Sequence, residues 1–146
     1  MTPGRPRRQE FFLAQAEPRH GDAVRIALLI VFGAVGTLAR YGLQGMVQER
    51  AGLTFPYGTL VVNLVGCFFL GAVAQYGLTH LTIAAEWRVG ITVGFFGAFT
   101  TFSTFSWEAV RLLEDGEWMR ALTYVLVSVA GGLLCVLVGM RIAERI

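Results

Sequence analysis

The sequence predicts an all-α integral membrane protein with four transmembrane helices, the third of them broken near its middle. Three observations carry this. Only 15% of the 146 residues are charged, against about 25% in soluble domains, and mean hydropathy is positive. The chain contains four apolar runs, Ile26–Val47, Gly58–Leu78, Val89–Trp107 and Ala121–Met140, each near the roughly 20 residues a helix needs to cross a bilayer. The third run holds Gly97 followed by a dense block of hydroxyl and β-branched residues, a composition that weakens a helix.

Residues 1–22, MTPGRPRRQEFFLAQAEPRHGD, are basic and interrupted by prolines. The apolar stretch FFLA is too short for a secretory signal, so this segment reads as a disordered cytoplasmic tail preceding one membrane domain over 23–146. Apart from histidine, every cation is arginine. Four crossings put Arg25, Arg88, Arg141 and Arg145 on one side and Arg50, Arg111 and Arg120 on the other. This near balance is what insertion in both orientations produces. Arg5, Arg7, Arg8 and Arg19 in the tail weigh toward a single orientation.

The first run, IALLIVFGAVGTLARYGLQGMV, carries Gly33 with Gly36 and Gly42 with Gly45, spacings that let membrane helices approach closely. Arg40 is the only charge inside any of the four runs. Placing it at the bilayer centre costs about 2.5–3.5 kcal/mol on insertion scales. Two readings stand: snorkelling to the interface, or an electropositive feature near a vestibule that attracts anions. The second run begins GTLVVNLVGCFFLGA, with Asn63 in its first third. An amide in hydrocarbon must be hydrogen-bonded, whether to another helix or to a permeant ion. Gln75 reads as interfacial.

In the third run, five hydroxyls crowd into Thr100 to Ser106. A break beginning at Gly97 would free backbone groups, which at membrane depth survive only inside protein or beside water. Freed carbonyls bind cations, and the N-terminus of the resuming half-helix faces anions. Phe102 and Phe105 stand three apart on one face, with Ser103, Thr104 and Ser106 around them. Phenyl edges are electropositive and can touch an anion. Against this, hydroxyls often bond back to their own helix and phenylalanines often only pack. Glu108, at the end of the run, reads as an interfacial cap or as part of a polar pathway, with the cap favoured. The fourth run places Tyr124, Ser128 and Gly132 four apart on one stripe, a narrow polar track or a packing seam. Cys67 and Cys135 lie inside runs without a CxxC or Cys/His cluster, which points to small apolar packing rather than a metal or disulfide.

The intramembrane inventory is one of hydrogen-bond donors without interior carboxylates. It suits a small anion, which must exchange its water for donors. A proton-coupled multidrug exporter of this size needs a carboxylate in its first helix, where this chain has only Arg40, and a non-transporting assembly subunit would not need the hydroxyl stripe. His20 and His80 lie outside the runs and no nucleophile-base pair is apparent, which argues against an enzyme.

From about Val24 to the C-terminus, the chain resembles the Fluc (CrcB-like) family of bacterial fluoride channels. The resemblance rests on GAVGTLARYG, GTLVVNLVG and, most specifically, GFFGAFTTFSTFSWE. It implies an antiparallel, dual-topology homodimer in the bacterial inner membrane, passing fluoride and not binding nucleic acid. A structural sodium ion at the dimer centre is implied on the backbone carbonyls of Gly97 and Thr100. Pathway residues by motif position are Asn63, Phe102, Ser103, Thr104, Phe105, Glu108, Tyr124 and Ser128, with Arg40 at the vestibule. For Glu108 the resemblance favours the pathway over the cap. This chain has Ala98 where the family pattern has a second glycine; because the implied ligands are carbonyls, a methyl group there is compatible.

Overall fold

A computed structural model describes residues 22–79 and 84–145; most of the predicted tail, and His80, lie outside these residues. The fold is all-helical, with four spans long and apolar enough to cross a membrane: Asp22–Ala51, Tyr57–Leu78, Ala85–Glu114 and Trp118–Ala143. Helix α1 (Asp22–Ala51) starts at the last residue of the predicted tail, with Asp22 in its first turn, where an acid complements the helix dipole. It stops at Gly52, whose φ of +93° is easily adopted only by glycine. Gln48 then organises the connection to the next span: its Nε2 donates to the carbonyls of Gly52 and Phe55, and its Oε1 accepts from the Gly58 N–H. Helix α2 (Tyr57–Thr79) follows directly after Pro56.

The third span is assembled from four pieces. Helix α3 (Ala85–Val89) passes into a π-helical segment, Gly90–Phe95, and then into α4 (Phe96–Phe99). Thr100 and Thr101 are extended, with ψ of 156° and 111°. Helix α5 (Phe102–Glu114) resumes with Thr101 as its N-cap, the hydroxyl accepting from the Thr104 N–H. The break therefore falls at Thr100–Thr101, three residues beyond the glycine at which it was expected. Gly97 itself is helical. The reason is local: Thr101 has a capping oxygen with which to start a new helix, and glycine has none. The π-helical segment has no counterpart in the sequence reading. Helix α6 (Trp118–Ala143) completes the chain after Gly116, whose φ is +76°.

Alternate spans run parallel and pack through glycines. On α1, Gly36 lies against the Phe95 backbone carbonyl, where a Cβ would collide, and Gly94 lies against Leu29 and Phe32. Between α2 and α6, Gly71 meets the carbonyl of Val136, and Gly139 meets that of Phe68. Such contacts bring backbones together where no hydrophobic force between helices operates. Gly42 and Gly45 differ from the expectation for paired glycines, since nothing in the chain lies within 4 Å of either added Cβ. The small-residue pair that packs within this chain is Gly33 with Gly36. The core is a cluster of Leu60, Phe105, Ala109 and Tyr124, flanked by Phe55, Leu64 and Leu112. Large apolar side chains cover the outside, as bilayer solvent requires. Both cysteines are free.

Candidate functional site

Two polar clusters lie along the third span, one shared with α1 and α2 and the other with α2 and α6. The first is the break. Asn63 of α2 holds it in both directions: Nδ2 donates to the Thr101 carbonyl at 3.1 Å, and Oδ1 accepts from the Thr101 N–H at 2.8 Å. The amide thus replaces helical partners that the break removes. Gly66, three residues on, leaves room for the Thr100 methyl and the Phe99 ring, so α2 can approach the extended residues. Thr100 turns its hydroxyl back to the Phe96 carbonyl at 2.9 Å, and Thr101 donates its own hydroxyl to Thr104 Oγ1 at 2.9 Å.

This arrangement explains which carbonyls are left over. In a continuous helix, the Gly97 carbonyl would accept from the Thr101 N–H and the Thr100 carbonyl from the Thr104 N–H. The first donor is held by Asn63 and the second by the Thr101 hydroxyl. Ala98 likewise loses its helical donor, and its carbonyl instead accepts from Arg40 Nε at 3.1 Å. Through this contact the Arg40 guanidinium is turned toward the break.

The second cluster centres on Glu108. Its Oε1 accepts from the Thr59 hydroxyl at 2.9 Å and its Oε2 from the Tyr124 hydroxyl at 2.7 Å. Thr59 in turn accepts from Gln44 Nε2 at 3.2 Å. Thr59 and Tyr124 are both fully buried, so the two donors satisfy the carboxylate and the carboxylate satisfies them. The favoured cap reading of Glu108 is corrected here, because the side chain points into the bundle. Sequence reasoning missed Thr59 and Gln44. A signal existed for Thr59, which stands four residues before Asn63 on one face of α2, and both side chains reach the third span.

Phe102 and Phe105 are adjacent, with centroids 5.5 Å apart and planes at 47°. They differ in setting: Phe105 is buried against Tyr124, centroids 5.2 Å apart, whereas Phe102 is 78% exposed on the outer face. Ser103 is also exposed, its hydroxyl 3.4 Å from that of Thr101. Ser106 bonds back to the Phe102 carbonyl at 2.9 Å, the local use of a helical hydroxyl. One turn beyond Tyr124 on α6, Ser128 keeps a buried hydroxyl oxygen without a hydrogen-bond partner. An open cavity of about 1130 Å³ is lined by Arg40, Gln44, Trp107, Glu108 and Arg111 among others. Among the described residues no cluster of His, Cys, Asp or Glu is arranged to hold a metal.

Comparison with known proteins gives this geometry a family. The profile described as CrcB-like protein, Camphor Resistance (CrcB), matches residues 27–140. A protein of Geobacter metallireducens named fluoride-specific ion channel FluC is 48% identical over 121 residues, covering 83% of this chain and 98% of the relative. A second relative of that name, from Geobacter sp. strain M21, is 48% identical over 123 residues, covering 84% of this chain and 97% of its own. One from Nitrosococcus oceani is 43% identical over 122 residues, covering 84% of this chain and 98% of its own. With the profile matched across all four spans and relatives aligned over nearly their whole length, this chain belongs to the CrcB-like family.

Proposed function

We propose that this chain forms a fluoride-selective channel that lets cytoplasmic fluoride leave passively. The observation that carries the reading is the 48% identity over 98% of a relative named as a fluoride-specific channel. Hydrogen fluoride crosses membranes as a neutral acid and dissociates in a less acidic cytoplasm, trapping the anion. An interior-negative potential supplies about 2.3 kcal/mol per charge per 100 mV for export through a channel. No energy coupling is needed, which limits the fluoride toxicity without a transport cycle.

The pathway proposed runs past Asn63, Phe102, Ser103, Thr104, Phe105, Glu108, Tyr124 and Ser128. Supporting it, these side chains lie around the break and the Glu108 cluster, and the partnerless Ser128 hydroxyl offers a donor in the apolar interior. Ring edges and hydroxyls replace part of the anion's hydration shell. Arg40 lines the open cavity and raises the local anion concentration there.

The working unit is proposed to be an antiparallel homodimer in the bacterial inner membrane. In favour of a second copy, α1 buries little of itself within the chain, Gly42 and Gly45 face open space, and Phe102 stands outside the fold. A structural sodium ion fits the leftover carbonyls. Gly97 and Thr100 present hard oxygen ligands whose helical donors are engaged elsewhere, and Gly97 is exposed with no atom within 4 Å of its added Cβ. Two carbonyls are too few for an alkali cation, so both copies would have to contribute.

Fluoride efflux from liposomes holding the purified protein, read by a fluoride electrode beside a chloride control, tests the function. Fast fluoride efflux without chloride efflux, abolished in Phe102→Ile and Asn63→Asp, is the expected result. A well-folded protein that passes no fluoride would end the channel reading.

A further inference from the structure

We propose that Arg40 is a positioning residue of the helix break. By donating Nε–H to the Ala98 carbonyl, it withdraws that oxygen from any cation and holds the neighbouring Gly97 and Thr100 carbonyls in place for one. The inference rests on the cation reading above and assigns a role to a side chain otherwise regarded only as a vestibule charge.

The geometry is set by helix register. Gly36 meets the Phe95 backbone, and Arg40 lies one turn further along the same face of α1, opposite Ala98 one turn beyond Phe95. The parallel packing of the two spans thus delivers the guanidinium to one of the freed carbonyls, that of Ala98, and leaves those of Gly97 and Thr100 open, since the Thr101 and Thr104 N–H groups donate to Asn63 and to the Thr101 hydroxyl. Arginine has five N–H donors in a fixed fork. One is used at Ala98, and the remaining four leave the guanidinium able to face the open cavity it lines. No carboxylate among the described residues lies within ion-pair range of it. The charge is therefore not neutralised by a partner acid, and the Ala98 carbonyl is the contact that directs it.

Two consequences separate this role from a simple vestibule charge. A lysine at position 40 keeps the charge and the reach but puts a methylene where Nε stands, so it preserves attraction for anions and loses the strut. The carbonyls flanking Ala98 then become less ordered, and a cation bound to them is held less well. Arg111 lines the same cavity but is engaged with Glu114 at 2.7 Å and Asp115 at 3.8 Å, away from the break. Its removal lowers the cavity's charge without touching the carbonyls.

The experiment is a sodium titration of the unfolding temperature of the purified full chain in detergent, with N-methylglucamine holding ionic strength constant. Sodium is expected to raise the unfolding temperature of the wild-type protein saturably. Arg40→Lys should need at least about threefold more sodium for half the effect, the ratio lost with one membrane hydrogen bond of average strength, while Arg111→Gln should match the wild type. Gly36→Ala, which pushes α1 away from Phe95 and lifts Arg40 from Ala98, reaches the same end by another route and should also raise the sodium requirement; it decides the question if Arg40→Lys does not fold. Half-effect concentrations equal to wild type in the folded variants would overturn the role. A wild-type unfolding temperature indifferent to sodium would overturn the cation reading itself, and this inference with it.

Discussion

Asn63 is the side chain whose loss the structure predicts most sharply. Replacing it by leucine keeps the volume and removes both hydrogen bonds to Thr101, at 3.1 and 2.8 Å. Each such bond in a membrane is worth about 0.6 kcal/mol on average and up to about 1.7. The Thr101 N–H is then left without its acceptor in a place water does not reach freely, which adds about 1–3 kcal/mol. The sum is about 2–5 kcal/mol, with the carbonyl kept by its own helix. Asn63→Asp retains the acceptor for Thr101 N–H but sets an oxygen against the Thr101 carbonyl and places a charge in the span, at about 2.5–3.5 kcal/mol on insertion scales. Unfolding free energies measured in mixed detergent micelles, together with fluoride efflux, provide the assay. Both variants should be destabilised by at least about 2 kcal/mol and conduct poorly. An Asn63→Leu protein within about 0.5 kcal/mol of wild type would show that the break holds without this amide, and the reasoning would fail.

Three further outcomes follow from the same contacts. Ser128→Ala removes a buried hydroxyl with no partner, so stability should stay level or rise by up to about 1 kcal/mol, while fluoride efflux falls; unchanged efflux would take Ser128 off the pathway. Tyr124→Phe and Thr59→Val each delete one donor to Glu108, and each should cost about 1–2 kcal/mol in the same micelle titration, with the double variant differing from the sum because both act on one carboxylate. Gly36→Ala should cost about 1–3 kcal/mol through overpacking against the Phe95 backbone, whereas Gly42→Ala, which meets nothing within the chain, should not lower monomer stability and should alter only the population of the proposed dimer, measured by cross-linking.

The site was partly legible before any coordinates. A hydroxyl block, an amide and two ring positions inside apolar runs mark polar groups that must be satisfied, and the structure does gather Asn63, Thr104, Phe105 and Tyr124 around the third span. What the pattern missed were the partners. Thr59 and Gln44 look ordinary at the mouths of two apolar runs, yet they complete the hydrogen-bond chain to Glu108. Glu108 itself stands at the edge of its run, where a cap is the natural reading, and only the closeness of α2 and α6 turns it inward. The break moved from Gly97 to Thr100–Thr101 because a capping hydroxyl decides where a helix restarts, and the nearby amide of Asn63 supports it there.

By itself, the sequence determined the class of solvent, the number and approximate bounds of the four spans, and the presence of an interruption in the third. These are properties of single segments: about 20 apolar residues suffice to span, and each helix meets its own backbone needs without reference to the others. Tertiary structure alone decided which carbonyls at the break remain free, that Arg40 meets the Ala98 carbonyl, and that Gly36 packs while Gly42 does not. Those outcomes depend on the rotation and register of one helix against another, and a shift of one residue, about 100° around a helix, would exchange every partner.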